Sequence, residues 1–589
     1  MELLSGVKAL TYFKKMLMGE TSQILPFTPI AQKPLCPDYS GLRLARSTPE
    51  SEGVPSELLE AFYRRLATGD DAGLHSVMVL RHGKVISEGG FAPFSTKFWH
   101  VTHSLCKSVT GTAIGMLIDD GILDFDDKIC DIFSDKCTFL TGKRMRSITI
   151  RHLLTMQSGS TFKEIGAVLE RDWVRAFIEA DVAFEPGSRM DYNSMNSYML
   201  SAVVTRKTGL TLCDYLKPRL FDKLGFGEIA WETCPLGITK GGWGMYIFPE
   251  DLAKIGQLYL QGGIWNVHGE SQQIISNKWI IEATKPWTMR DTGEEYGYQL
   301  WPHSDDGSFL FNGMFGQYVM MMPSLDIVIL MNAGNGHLFT HSFAYDTVVE
   351  YFNLNALSNA PLPQNSKQLK SLQYTLSHLV FGVKSTPKYR EQKWYEKILS
   401  LFKKPIVPMP FPEKANALIG RTLCFSANNA GLEPIILQCT CDSYTHGVCK
   451  IGFALENDFL TLLWTEGSVT SHLPLGFNEA KYGIATLNDC KWHIGSLASF
   501  AYNEDGQAVL KIKFCFVESS STRLVKIIFK ENGAVLRLDE SPAVALAIEK
   551  VKNEQSALAK GDPVFFKDFG YIEYKINKIC TPILNGIWE

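Results

Sequence analysis

Residues 75–91, HSVMVLRHGKVISEGGF, set two β-rich apolar runs on either side of His82-Gly83, a pattern that predicts a β-hairpin. Over residues 104–120 the spacing turns helical. Val109, Ala113, Ile114 and Leu117 fall on one face, and Gly121 supplies the stop. Residues 130–290 read as mostly helical, punctuated by Pro186-Gly187, Gly209, Pro249 and Gly262-Gly263. Strands return at 317–322 and 327–331, joined across Pro323-Ser324-Leu325-Asp326, and a last helix is expected over 338–352. Strands at both ends of a helical block predict an α/β arrangement: one antiparallel sheet built from the two ends, flanked by helices, with a helical insertion beside it. A cleft is expected where insertion meets sheet.

The pattern then changes. Residues 354–418 hold Pro361, Pro363, Pro387, Pro405, Pro408, Pro410 and Pro412 with helical patches between, and read as a connector. From Gly420 to about Leu546 short apolar runs alternate with turn signals such as Asn428-Asn429, Asn503-Glu504-Asp505-Gly506 and Glu531-Asn532-Gly533. Strands without intervening helices predict a small antiparallel barrel or sandwich. Cys439 and Cys441 fall within one of these runs, which reads as a strand. The expected division is an N-terminal extension over 1–44, a first domain over 45–353, the connector over 354–418 and a β-domain with a C-terminal tail over 419–589. No internal repeat is visible.

Length and charge narrow the classes. A chain of 589 residues exceeds what one core supports. Its net charge of −4, with scattered basic residues, gives no field for nucleic acid. Thirteen cysteines spread without zinc-ligand spacing suit free thiols in a reducing compartment, so a cytoplasmic location is expected, with no metal and no cofactor. Lys14, Lys15 and Glu20 interrupt the N-terminal apolar run, so neither a signal peptide nor a transmembrane segment is expected. A helix over 7–18 packed on its own domain is favoured over one lying on a membrane. Oligomeric state is left open.

The candidate chemistry begins at Ser104-Leu105-Cys106-Lys107. Three residues are just under one helical turn, so the hydroxyl and the amine share a face. A serine needs a group to take its proton, and a lysine desolvated in a cleft is suited to that. The start of the helix also offers backbone N–H groups to an oxyanion. Ser385 and Ser400 begin the same Ser-x-x-Lys pattern, but in the connector and without this context. A second element, Tyr192-Asn193-Ser194, follows the turn Phe184-Glu185-Pro186-Gly187 and precedes a helix. A tyrosine there is either a proton-transfer group, its pKa lowered near cations, or a packed residue at a helix start.

Together these elements resemble the class C β-lactamase-related family of serine hydrolases, which are penicillin-binding-protein-like and include esterases and amidases. The resemblance rests on Ser47-Thr48-Pro49-Glu50-Ser51-Glu52-Gly53-Val54, the hairpin, HSLCKSVTGTAIGMLIDDGIL, Arg151 to Gly159, Glu185-Pro186-Gly187 with Tyr192, Gly241 to Met245 and Pro249 to Ala253. It covers about residues 45–352. It implies a β-lactamase/transpeptidase-like fold, Ser104 as the acylated nucleophile, Lys107 as its base and Tyr192 as acid and base for the leaving group. The stretch from Gly420 to Leu536 resembles, more weakly, the lipocalin-like barrel appended to some members.

Two departures qualify the resemblance. The second motif usually ends in Asn, and here Ser194 stands third, with Asn193 beside it. The third motif usually carries Lys or His, and here it reads Phe311-Asn312-Gly313-Met314, with Phe311 at the cation's place. Ser194, Asn312, Gly313 and Met314 are the expected substrate-binding residues, with an oxyanion N–H from about Met314. The missing cation favours a small uncharged ester or amide over a β-lactam or a peptide carboxylate. The alternatives are a β-lactamase or D-amino-acid peptidase of the same mechanism, with Arg290 or His303 supplying the charge, and a catalytically weak binding protein that works through its barrel. His103 and His152 are expected to be structural, Cys106 to face the core, and Trp243 and Trp301 to line a pocket or pack at the cleft edge.

Overall fold

The computed structural model describes residues 33–69, 73–167, 169–336, 342–390, 411–441, 445–488, 490–542 and 580–589. The helix expected over 7–18 lies outside them, as do Ser400 and the start of the helix expected over 338–352.

The hairpin around His82-Gly83 is β1 (Leu74–Arg81) and β2 (Lys84–Gly90). The far end of the domain supplies β3 (Trp301–Pro302), β4 (Phe309–Gly313), β5 (Gln317–Met322) and β6 (Ile327–Ala333). They form one antiparallel sheet in the order β3-β4-β5-β6-β1-β2. β1 pairs with β6, Val79 opposite Ile329, so the two ends of the domain close on each other. Both faces of the sheet are covered. Met78, Leu80, Phe311, Val319 and Val328 enter the core of the helical block, and Val77, Val79, Leu310, Met320 and Ile329 enter the core on the other face. This is why the strands read as continuous apolar runs rather than as alternation.

Helices α1 (Ser56–Thr68), α5 (Phe343–Tyr351) and α6 (Ser366–Ser377) cover one face. The other face meets α2 (Cys106–Asp119) and α4 (Pro249–Leu260), and α3 (Ser194–Thr208) packs on α2. Every residue of α2 from Cys106 to Leu117 is buried. A helix enclosed on all sides needs apolar or small residues all round, and Gly111, Thr112 and Gly115 meet that need here.

The C-terminal domain is a ten-stranded antiparallel barrel. Its strands are β7 (Thr422–Phe425), β8 (Val448–Glu456), β9 (Phe459–Glu466), β10 (Val469–Pro474), β11 (Lys481–Leu487), β12 (Cys490–Tyr502), β13 (Ala508–Phe516), β14 (Thr522–Lys530), β15 (Gly533–Ser541) and β16 (Ile583–Trp588). β16, from the end of the chain, inserts between β7 and β15. The barrel is nearly closed where β10 approaches β11, and there Thr486 N donates to Ser471 Oγ at 3.1 Å. One expectation is overturned. Cys439 and Cys441 lie on a helix, α7 (Ile435–Cys441), and not on a strand. Pro434 presets the first turn, and Gln438 N donates to its carbonyl. A short apolar run by itself does not separate helix from strand.

Candidate active site

Ser104 sits in a tight turn, His103–Leu105, that leads straight into α2. His103 takes a positive φ of 46°, and the turn brings Ser104 and Lys107 together. Lys107 Nζ lies 2.9 Å from Ser104 Oγ, 2.9 Å from Ser194 Oγ and 2.6 Å from the carbonyl oxygen of Gly242. Both residues are buried, Lys107 almost completely.

The order Tyr-Asn-Ser of the second motif has a local cause. Asn193 caps α3: its Oδ1 accepts from Met195 N at 2.9 Å, and its Nδ2 donates to the carbonyls of Ser160 and Phe162. That leaves Ser194 to meet Lys107. Tyr192 is hydrogen-bonded to Ser104, and Lys107 Nζ stands 5.2 Å from the centre of its ring. Trp301 stacks on the Tyr192 ring at 5.8 Å and Tyr296 meets it edge-on. The expected lowering of the Tyr192 pKa is not what this site produces. Burial raises it well above the usual phenol value and outweighs the bond to Ser104; the Glu164 carboxylate adds to the rise, and the Arg290 charge counters it. Tyr192 is therefore a neutral phenol, a proton donor at rest.

The end of β4 presses on the turn that holds Ser104. A Cβ on Gly313 would overlap the carbonyl oxygen of Thr102 and crowd Leu105 N, so only glycine fits. Met314 follows in the β4–β5 turn. Phe311 does not line the site: it is fully buried, edge-on to Tyr259 at 5.1 Å, because alternation turns it to the helical core. Asn312 lies on the opposite face, and its Oδ1 and Nδ2 are buried with no hydrogen-bond partner among the described residues.

Three supports were not read from the sequence as such. Gln317 Nε2 donates to the carbonyls of Met314, Phe315 and Ala333, and its Oε1 accepts from Asn332, which fixes the β4–β5 turn. The buried pair Lys240–Glu232, 2.7 Å apart, precedes the Gly241-Gly242 turn whose carbonyl meets Lys107. Glu164 accepts from Ser194 N at 3.2 Å. Gly242 stood inside a quoted motif and Gln317 at the start of an expected strand, but only the fold shows what they touch.

The remaining candidates are as follows. His152 forms a capping box with Thr149. The Cys106 thiol donates to His103 O, and burial pushes its pKa up to about 12. Trp243 stacks on Trp173 at 5.7 Å. His303 bonds Tyr345 and Ser308, away from Ser104. Arg290 lies 5.9 Å from the Trp301 ring and pairs with Glu294.

An antiparallel sheet with helices on both faces, and a serine, lysine and tyrosine gathered where a buried helix begins, define the class of β-lactamase-fold serine hydrolases. Residues 64–341 match the family model described as Beta-lactamase. The chain is 24% identical over 324 residues to a 6-aminohexanoate-dimer hydrolase of Paenarthrobacter ureafaciens, covering 49% of this chain and 80% of the relative. It is 22% identical over 310 residues to penicillin-binding protein 4 of Amycolatopsis lactamdurans, covering 46% and 80%. Among solved structures, a family VIII carboxylesterase is similar at 17% identity and a TM-score of 0.42, covering 53% of this chain and all of that one.

Proposed function

We propose that the protein cleaves a small ester or amide through an acyl-enzyme on Ser104. The observation that carries this reading is the contact of Ser104 Oγ with both Lys107 Nζ, at 2.9 Å, and the Tyr192 phenol. A neutral Lys107 would give two N–H bonds to Ser194 Oγ and Gly242 O and turn its lone pair to the serine hydroxyl. Ser104 Oγ then attacks the carbonyl carbon while its proton passes to Lys107. Backbone N–H groups at the start of α2 and at Met314 face the oxyanion. As the bond to the leaving group breaks, Tyr192 gives that group its proton and regains one from Lys107. Water completes the cycle: its oxygen attacks the acyl carbon as its proton passes to Lys107, the ester bond to Ser104 Oγ breaks, and Lys107 returns the proton to Ser104 Oγ.

The segment of β4 beside the nucleophile's turn carries no charge, since Asn312, Gly313 and Met314 are all neutral. The unpaired amide of Asn312 suits a substrate that brings its own donor and acceptor, because buried polar groups gain most from such pairing. Arg290, whose charge reaches Tyr192, favours a second reading: a β-lactamase or D-amino-acid peptidase whose substrate carboxylate it holds. Among the described residues, free thiols at eleven cysteines support a reducing, cytoplasmic setting, and no helix is long and apolar enough to cross a membrane. The lipocalin-like identity of the barrel rests on its strand pattern.

The test uses p-nitrophenyl esters, aminoacyl amides and a chromogenic cephalosporin with wild type and Ser104→Ala. A fluorophosphonate should label wild type once and Ser104→Ala not at all, and kcat should fall by about three decades or more in the variant. A cephalosporin turned over with higher kcat/KM than every ester and amide would replace the first reading with the second.

A further inference from the structure

The turn Val517–Ser521 joins β13 to β14 of the barrel, yet Glu518, Ser519, Ser520 and Ser521 are all buried. A hairpin turn is ordinarily a surface feature. This one is inserted into the first domain, behind the nucleophile. Glu518 O accepts from Val101 N at 2.9 Å, and its carboxylate accepts from Trp99 Nε1 at 2.6 Å, Lys33 Nζ at 2.7 Å and His493 N at 2.9 Å. Two residues on, Ser520 Oγ is hydrogen-bonded to Nε2 of His103 at 2.9 Å.

His103 directly precedes Ser104 and holds the positive φ on which the nucleophile's turn depends. For a residue with a Cβ that conformation is costly and persists only where its surroundings hold it. The other side of the His103 ring meets Phe315 edge-on at 5.2 Å, and Phe315 belongs to the β4–β5 turn beside Met314. The turn touches that side as well. The Ser520 carbonyl lies where a Cβ of Gly334 would be, and Asn335, next in the chain, donates from its N–H to Phe315 O at 3.1 Å. One barrel turn thus contacts His103, beside Ser104, and Gly334, whose neighbour Asn335 holds Phe315 next to Met314.

We infer that Ser520 is a positioning residue for the reaction. It fixes the ring of His103 and through it the placement of Ser104 against Lys107 and the oxyanion donors. The barrel then contributes to catalysis by bracing the nucleophile rather than by binding a ligand. This inference rests on the acyl-serine reading above, in which small misplacement of the nucleophile is expensive in rate.

The experiment uses the full chain and compares wild type with Ser520→Ala, Ser520→Cys, Ser520→Thr and Ser104→Ala. It measures the rate of fluorophosphonate labelling, kcat and KM for p-nitrophenyl butyrate, and the thermal midpoint. Ser520→Ala should slow labelling and lower kcat about tenfold, with KM within about twofold of wild type. Ser520→Cys, which fills the same space with a weak hydrogen-bonding group, should behave like Ala and serves in its place if Ala does not fold. Ser520→Thr, which keeps the hydroxyl, should restore most of the rate. Wild-type labelling and kcat in both Ala and Cys variants overturn the proposal. So does a loss that appears in KM alone, or a Thr variant no better than Ala. Labelling that survives Ser104→Ala overturns the acyl-serine reading and this inference with it, whereas labelling lost there but unchanged at Ser520 overturns the positioning role alone.

Discussion

Lys107 Nζ lies at hydrogen-bond distance from Ser104 Oγ, Ser194 Oγ and the Gly242 carbonyl, and these neighbours bear on which proton it handles. Ser194 and the Gly242 carbonyl hold the amine in place, and Ser104 takes the remaining direction. Tyr192, kept protonated by burial, would complement Lys107 as proton acceptor in the proposed mechanism. Residues that act in one proton relay lose their effects non-additively. Lys107→Ala and Tyr192→Phe should each lower kcat by about two decades or more, and the double variant should fall little below the worse single one; steady-state kinetics on the three proteins would read this, and strict additivity would contradict it. The raised Tyr192 pKa also fixes a sign. The active phenol is lost only as pH rises through a value above the ordinary tyrosine range, so the tyrosine should impose no alkaline fall in kcat/KM below about pH 10. The types and spacing of Ser104, Lys107 and Tyr192 were legible in the sequence. That Ser194 rather than Asn193 meets the lysine was legible only as a departure from the family pattern, because which of two adjacent polar residues caps a helix depends on where its first turn lies.

At the scale of elements, strand β4 and the turn that leads into helix α2 approach so closely at Gly313 that no side chain fits between them. Gly313→Ala would push Met314 and the nucleophile's turn apart. It should cost activity out of proportion to stability: kcat down about a hundredfold, with the thermal midpoint lowered by only a few degrees. A variant that kept wild-type kcat would show that the approach is not needed for the oxyanion. The motif sets Phe311 at the place of a cation, whereas in the structure its side chain packs on the Tyr259 side. Motif position fixed the segment, and strand register, which depends on pairing with β5, fixed which side chain faces which way. The hairpin β1–β2 and strands β5 and β6 were legible because their apolar runs are long and their turns marked. Helix α7 was not, being short and rich in β-branched residues, nor was β16, a single strand after a long interval in the chain.

At the scale of the molecule, the two domains share a polar junction that no sequence pattern announced. Its residues come from four separated stretches around Lys33, His75, Trp99 to His103 and Glu518 to Ser520. His75 Nδ1 and His100 Nε2 are 2.9 Å apart, His75 stacks on Phe94, and His100 Nδ1 bonds Val101 O. Burial lowers both pKa values: that of His75 falls well below normal, and that of His100 to about 4, even though the Val101 and Ser519 carbonyls and the Glu518 charge pull it back up. Both rings are therefore neutral in the folded protein while the unfolded chain binds a proton at each below about pH 6.5. A folded value below the unfolded one makes stability fall as pH drops through this window, by up to about 1.4 kcal/mol per pH unit for each histidine. The Glu518 carboxylate acts in a lower window. Burial would raise its pKa, but His493 and Lys33 hold it below the usual value, so its contribution is lost only under more acid conditions. Unfolding followed from pH 7.5 to 4.5 should therefore show an early loss in wild type that is shallower in His100→Gln, though the variant is less stable at pH 7.5. Glu518→Gln should be less stable throughout this range, because Lys33 is left buried beside a neutral amide. Since the same turn carries Ser520, the acid loss of stability should be accompanied by slower fluorophosphonate labelling at Ser104. Equal steepness in wild type and His100→Gln would show that the histidine pair is not what responds to acid.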